Sequence, residues 1–200
     1  MKKIIAILSV LLFLAGCKSE DTVLAERDKI IKYLTSRNIC SEDELANQIS
    51  SEPPFYTASR KYSYRHIVNY YDEGREERTM VEWGDSIEIK FFNAYIFTGS
   101  EPSYSSLYWS NIPEVIAKVG DKSGNTLDWS TDPLVVKLGS TRIIRGLEAA
   151  LPECREGDSI QVYMTSNIGY GSNRDFGVVP EASMLAWYLR IGKVTKKDTE

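Results

Sequence analysis

The second half of the chain alternates hydrophobic and polar residues with a period of two. Four segments show this alternation most clearly, at residues 87–91, 134–138, 160–164 and 185–191. Because successive side chains of a β-strand point to opposite faces of a sheet, the pattern predicts antiparallel strands with one face on a core. In the first segment, it places the side chain of Phe91 on the core face.

Hydrophobic residues at helical spacing are confined to a few shorter stretches. Residues 22–37 predict an N-terminal helix, and a capping-box pattern at 41–44 predicts a short second helix after it. Among the strands, residues 141–151 predict one helix, with Pro152 just beyond its end. Residues 100–125 show neither pattern and are expected to form a long irregular insertion. One short helix packed across an antiparallel sheet is an α+β fold.

Composition and charge exclude several classes of function. The chain has 200 residues, 42% of them hydrophobic and 26% charged, as expected of an ordinary globular protein. Its net charge of -4 implies no strongly basic face, so nucleic acid is not an expected partner. A single histidine, His66, cannot build a multi-histidine metal site, and no metal is expected.

The N-terminus has the layout of a secretory signal. Two lysines precede an apolar run at residues 4–14, which is shorter than the ~20 residues that a transmembrane helix needs. Leu14-Ala15-Gly16-Cys17 resembles the bacterial lipobox, which implies that Cys17 becomes the lipidated first residue of the mature chain. A plain cleaved signal followed by an incidental cysteine is the alternative.

Lipidation would place the protein in the bacterial cell envelope, anchored to the outer membrane. The acidic pair Glu20-Asp21 resembles the surface-export signal of lipoproteins of the Bacteroides group. The periplasmic and the external face both remain open. In either oxidising compartment, Cys40 and Cys154 could form a disulfide or remain as two buried thiols.

Residues 84–194 carry a series of short motifs in a fixed order. They are Gly84-Asp85-Ser86-Ile87-Glu88-Ile89-Lys90-Phe91, Leu127-Asp128-Trp129-Ser130, Ile143-Ile144-Arg145-Gly146-Leu147, Cys154-Arg155-Glu156-Gly157-Asp158, Tyr170-Gly171 and Val179-Pro180. Together they resemble the FKBP-type peptidyl-prolyl cis-trans isomerase family. The resemblance implies a curved antiparallel sheet wrapped around one short helix, and a reaction that needs no cofactor.

The resemblance also implies a site. Its catalytic residues would be Asp128, Ile144 and Tyr170, with the Ile144 N–H and the Tyr170 hydroxyl donating to substrate carbonyls. Asp128 would stabilise the region of the rotating carbonyl or orient a neighbouring side chain. The walls that bind the proline would be Phe91, Leu127, Leu134, Ile143, Leu147, Val179 and Trp187. Several of these replace the family's aromatic residues, so weak activity is expected.

These inferences divide the chain and suggest its function. Residues 1–16 are expected to be a signal peptide, 17–75 a helical extension with a lead-in strand, and 76–195 the FKBP-like domain. The expected function is a prolyl isomerase or folding chaperone on a lipid anchor, acting on proline-containing peptides or unfolded proteins. The alternative is a catalytically weak or inactive module of the same fold that binds protein or peptide.

Overall fold

The structure of the protein is a computed structural model that describes residues 20–37, 39, 55–59, 62–123, 129–172 and 178–197. The predicted helix after residue 41 lies outside these ranges, as do Cys17, Cys40, Leu127 and Asp128. No helix within the described ranges has both the length and the apolar character needed to cross a membrane.

Three α-helices and seven β-strands make up the described fold. The helices are α1 at residues 20–36, α2 at Pro113–Ser123 and α3 at Arg145–Ala150. The strands are β1 Phe55–Ser59, β2 Ser63–Ile67, β3 Ser86–Phe97, β4 Leu107–Ser110, β5 Leu134–Lys137, β6 Ser159–Met164 and β7 Met184–Thr195. Single 3₁₀ turns lie at Arg75–Glu77, Tyr104–Ser106 and Ser166–Ile168.

All seven strands form one antiparallel sheet. Its order is β1-β2-β6-β7-β3-β4, and β5 also pairs with β3. The two twelve-residue strands β3 and β7 pair along their length at the centre, with Ala94 opposite Trp187. The α+β arrangement predicted from the sequence is confirmed. The helix expected at 141–151 begins only at Arg145, because the backbone at Ile144 is still extended.

A bulge in β3 reverses the alternation that the sequence suggested. The register of β3 against β7 shifts between Ile87 and Ile89 and again between Ile89 and Phe91. As a result Phe91 is 42% exposed, and Phe92 is buried instead. The prediction that Phe91 faces the core is wrong, since one extra residue in a strand moves the following side chains to the opposite face.

The segment 100–125, expected to be irregular, contains β4 and α2. β4 pairs with the C-terminal half of β3, while β5 pairs with its N-terminal half. The buried amide of Asn111 fills the gap between them. It accepts a 2.8 Å hydrogen bond from the N–H of Phe92 and donates to the carbonyls of Lys90 and Asp132. Asn111 therefore satisfies backbone groups that the break in the ladder would leave unpaired.

Helix α3 lies against the inner face of the sheet and is fixed at both ends by β2. The Ser63 hydroxyl donates to the Gly146 carbonyl at 2.9 Å, and the buried Arg65 guanidinium donates to the Ala150 carbonyl at 2.8 Å. A Cβ atom at Gly146 would come within 2.6 Å of the Met164 sulfur. Only glycine therefore lets α3 approach β6 this closely.

Helix α1 covers part of the outer face of the same sheet. Its buried residues Ile30, Tyr33 and Leu34 form a second hydrophobic cluster with aromatic side chains that include Phe97 and Tyr163. The sheet thus has a hydrophobic layer on each face. Burial of Ile30 and Leu34 explains the helical spacing that predicted this element.

Cys154 is a buried free thiol in the inner core. Burial raises its pKa, and its sulfur lies 3.4 Å from a guanidinium nitrogen of Arg65. The thiol is therefore held in its protonated, unreactive form.

Candidate functional site

A cavity of about 550 Å³ opens beside the start of α3. Its apolar lining consists of Trp109, Leu134, Ile143, Ile144, Leu147 and Trp187. Its polar lining consists of Thr141, Arg142, Arg145 and Tyr170, and Gly169 completes it. The lining is thus mostly hydrophobic with a few polar groups, which is typical of sites that bind small ligands or short peptide segments.

Elements distant in the sequence bring the walls together. Ile143 and Ile144 lie in the extended lead-in to α3, and Leu147 lies in the first turn of that helix, buried at the wall of the cavity. Trp187 comes from the centre of β7, and Trp109 comes from β4. The cavity therefore forms only when α3, the sheet centre and the inserted strand are all in place.

Aromatic side chains form one connected wall. Trp187 stacks on Phe92 with ring centroids 5.3 Å apart and an angle of 24°. Trp109 stands edge-on to both, with centroids 4.7 Å from Phe92 and 5.6 Å from Trp187. Such contacts hold each ring in one orientation. The sequence did not predict Trp109 or Phe92 as part of this wall. Trp109 lies in no motif, and the bulge in β3 that leads to the burial of Phe92 leaves no local pattern in the sequence.

The N–H group of Ile144 lies at the N-terminal end of α3. The Ile144 carbonyl accepts from the N–H groups of Leu147 and Glu148, each at 3.0 Å. Within the part of the chain that the structure describes, the Ile144 N–H has no acceptor. It is one of the N–H groups that the start of a helix leaves available. Because Ile144 lines the cavity, this N–H can donate to a carbonyl placed there.

Hydrogen bonds connect three side chains behind the cavity. The indole Nε1–H of Trp187 donates to the hydroxyl of Tyr108 at 2.9 Å, in a buried contact. The hydroxyls of Tyr108 and Tyr170 are also hydrogen-bonded to each other, and the centroids of their rings lie 6.0 Å apart. Hydrogen bonds in such a network polarise one another, so each contact strengthens its neighbour.

Burial keeps both tyrosines protonated. It raises the pKa of Tyr108 well above its ordinary value, and it raises the pKa of Tyr170 against the opposing effect of the hydrogen bond with Tyr108. Tyr170 therefore keeps its proton throughout the physiological pH range. Its hydroxyl can act as a hydrogen-bond donor and has no role as a base.

The charged lining is positive. Arg142 and Arg145 line the cavity with exposed side chains, and Arg145 also donates to the Asn167 carbonyl at 2.8 Å. Among the described lining residues there is no carboxylate. Over the same described ranges, no cluster of three His, Cys, Asp or Glu side chains could hold a metal ion.

The structure brings together six of the predicted site residues, namely Leu134, Ile143, Ile144, Leu147, Tyr170 and Trp187. Two others lie elsewhere. Phe91 is exposed to solvent because of the bulge in β3, and it does not line the cavity. Val179 is buried in the core and does not line the cavity either. The parts assigned to Leu127 and Asp128 stay predictions, because neither residue is described.

Comparison with known proteins supports the fold. The family model for the FKBP-type peptidyl-prolyl cis-trans isomerase matches residues 116–191, which include β5, α3, β6 and the first part of β7. The N-terminal domain of FKBP42 from Arabidopsis thaliana has a similar structure, with a TM-score of 0.51 and 13% identity, covering 73% of this chain and 95% of that chain.

A peptidyl-prolyl cis-trans isomerase from Pseudomonas syringae pv. tomato is also similar. Its TM-score is 0.50 and its identity is 14%, with 89% of this chain and 96% of that chain covered. No curated protein sequence matches the chain. At such low identities, the likeness to these solved structures shows the fold.

Proposed function

We propose that this chain, whose residues 116–191 match the model of the FKBP-type peptidyl-prolyl cis-trans isomerase family, is a member of that family and catalyses rotation about the bond preceding proline in protein clients of the bacterial envelope. The observation that carries the proposal is the cavity, with its aromatic wall and two donors beside the start of α3. The reaction needs a shaped apolar space and fixed hydrogen bonds, and the cavity offers both.

The apolar walls suit the transition state of this rotation. A planar amide resists rotation by about 18–20 kcal/mol because resonance gives its C–N bond double-bond character. The twisted amide has lost that resonance and is less polar than the planar one. An apolar environment therefore favours the twisted form relative to water. Trp109, Trp187 and Leu147 would hold the proline ring in such an environment.

The two donors would fix the peptide while the bond rotates. Ile144 and Tyr170 both line the cavity, from the start of α3 and from the loop after β6. Each would donate to a substrate carbonyl, which holds one side of the amide still as the other turns. No bond breaks, so neither a nucleophile nor a cofactor takes part.

The cellular setting follows from the lipobox-like segment. A lipid on Cys17 would anchor the protein to the membrane and place the cavity near proteins that fold in the envelope. Unfolded clients there would meet both the apolar cavity and the isomerase activity, which is the basis for a chaperone role. Mass spectrometry of protein extracted from membranes tests the anchor: an unmodified Cys17, or a mature chain that begins elsewhere, would refute it.

An isomerisation assay with matched tyrosine variants tests the activity. The full chain should accelerate cis-trans exchange of a proline tetrapeptide. Tyr170→Phe should lower kcat/KM by about 2- to 10-fold, since one hydrogen bond contributes about 0.5–1.5 kcal/mol. Tyr71→Phe removes a hydroxyl from a side chain that is 82% exposed and should change nothing. Equal rates for wild type and Tyr170→Phe would mean that the donor is misassigned.

A binding module is the second candidate. The aliphatic Leu147 beneath the cavity favours it, because it offers a proline ring less contact than the aromatic residue of the family. In that case, proline peptides would bind and quench the fluorescence of Trp109 and Trp187 while isomerisation stayed at the uncatalysed rate. Binding together with acceleration would establish the enzyme instead.

A further inference from the structure

One buried carboxylate of the N-terminal helix α1 contacts the loop that contributes Tyr170 to the cavity. Glu26 is 7% exposed, and its two oxygens accept 2.8 Å hydrogen bonds from the backbone N–H and the hydroxyl of Ser166. A buried carboxylate is unfavourable unless its charge is compensated by such bonds. Hydrogen bonds to an ionised group are also about twice as strong as those between neutral groups. The contact is therefore specific and strong.

Ser166 begins the turn that carries the cavity residue Tyr170. The 3₁₀ turn Ser166–Ile168 is followed directly by Gly169 and Tyr170, which both line the cavity. The Ser166 carbonyl accepts from the N–H groups of Gly169 at 3.1 Å and Gly171 at 2.8 Å. Ser166 thus holds the loop on both sides of Tyr170, and Glu26 holds Ser166.

The same loop is tied to the sheet and to α3. The N–H of Thr165 donates to the Tyr62 carbonyl at 3.0 Å, and Arg145 donates to the Asn167 carbonyl at 2.8 Å. These bonds fix the two residues on either side of Ser166. The bond from Glu26 is the contribution of α1, which otherwise packs on the far face of the sheet.

We propose that Glu26 is a positioning residue, through which docking of α1 holds the loop 165–171 so that the Tyr170 hydroxyl faces the cavity. This gives the N-terminal extension, which lies outside the matched family region, a part in the site. The consequence for catalysis rests on the proposed isomerase function, whereas the effect on the loop does not.

Hydrogen exchange in the full chain tests the positioning directly. In Glu26→Ala, the amides of residues 165–171 should exchange about tenfold faster or more, because the loop loses two bonds to a charged group. Tyr33→Phe is the matched control, since it removes a 2.7 Å hydrogen bond between α1 and the carboxylate of Glu101. It should leave the loop protected. Unchanged exchange in Glu26→Ala would overturn the proposal.

Milder variants cover the case in which Glu26→Ala does not fold. Ser166→Ala removes the hydroxyl bond and keeps the backbone bond, so it should accelerate loop exchange less than the loss of Glu26. Glu26→Gln keeps an amide oxygen that can accept from Ser166 and should restore part of the protection. If both variants exchange like wild type, Glu26 does not hold the loop.

A double-mutant cycle links Glu26 to Tyr170. Glu26→Ala should lower kcat/KM several-fold in the wild-type background and have little further effect when combined with Tyr170→Phe. Equal effects in both backgrounds would refute action through Tyr170. If the wild type has no isomerase activity, the proposed function fails while hydrogen exchange still decides on the positioning role.

Discussion

The indole N–H of Trp187 donates a 2.9 Å hydrogen bond to the hydroxyl of Tyr108. This bond joins the central strand β7 to the inserted strand β4 across the back of the cavity. The Tyr108 hydroxyl is also hydrogen-bonded to that of Tyr170. One buried hydroxyl therefore both completes the core and contacts Tyr170, which lines the cavity.

Tyr108→Phe should weaken the fold measurably. The change leaves the Trp187 N–H buried without an acceptor, and such a group costs about 1–3 kcal/mol. Urea unfolding followed by circular dichroism should show this loss in the free energy of unfolding. Tyr104→Phe, which removes a hydroxyl from a side chain that is 46% exposed, should unfold like wild type. A stability of Tyr108→Phe equal to that of the control would show that another acceptor serves Trp187.

The sequence predicted those strands and helices that bury one face, because one-sided burial gives a periodic pattern of hydrophobic residues. The strands β5, β6 and β7 and the helix α3 all overlap the segments whose patterns predicted them, although β7 runs several residues beyond its segment. The lead-in to α3 could also be predicted, since the motif that contains Ile143 and Ile144 is contiguous in the chain.

The rest depends on pairings that no local pattern encodes. Phe91 and Phe92 are adjacent phenylalanines, and only the pairing of β3 with β7 decides which one is buried. Trp109 enters the cavity because β4 adds to the edge of β3, a contact that the irregular sequence around it does not reveal. Glu26 meets Ser166 across 140 residues, which neither periodicity nor motif order can indicate.

Trp109→Leu should weaken the candidate site. It removes an aromatic wall that contacts both Phe92 and Trp187, and an aromatic pair contributes about 0.5–1.5 kcal/mol beyond its buried area. We expect kcat/KM for a proline tetrapeptide to fall roughly 2- to 10-fold. The control is Trp83→Leu, since Trp83 is 52% exposed and does not line the cavity. Similar losses in both variants would remove Trp109 from the site.

Stability should fall as the pH drops from about 7 to 5.5, because of His66. Burial lowers its pKa in the folded chain, against the opposing hydrogen bond with Gln161. The unfolded chain, with the ordinary value near 6.5, then binds more protons in this window, so protonation favours unfolding. His66 is the single histidine of the chain, and carboxylates titrate mainly at lower pH.

The measurement is the free energy of unfolding at several pH values between 7 and 5.5. His66→Gln removes the titrating group and should give a flatter profile than wild type across this range. Parallel profiles for the two proteins would show that His66 titrates alike in the folded and unfolded states.

Substrates with an acidic residue beside the proline should be preferred. Arg142 and Arg145 are the charged groups of the described cavity lining, and no carboxylate there opposes them. An exposed ion pair contributes about 0–1 kcal/mol. We therefore expect kcat/KM for a Glu-Pro tetrapeptide to exceed that for its Gln-Pro counterpart by up to about fivefold. The difference should shrink in 1 M salt, where the Debye length falls to about 3 Å.

Charge reversal at the cavity distinguishes this preference from a general effect of net charge. Arg142→Glu should abolish the advantage of the Glu-Pro peptide and favour a Lys-Pro peptide instead. Arg142→Gln should reduce the preference, whereas Arg190→Gln makes the same change of charge at an exposed residue that does not line the cavity and should leave it intact. If Arg190→Gln reduces the preference as much as Arg142→Gln does, long-range attraction by the whole chain accounts for it. An unchanged preference in Arg142→Glu would mean that this side chain does not contact the residue beside the proline.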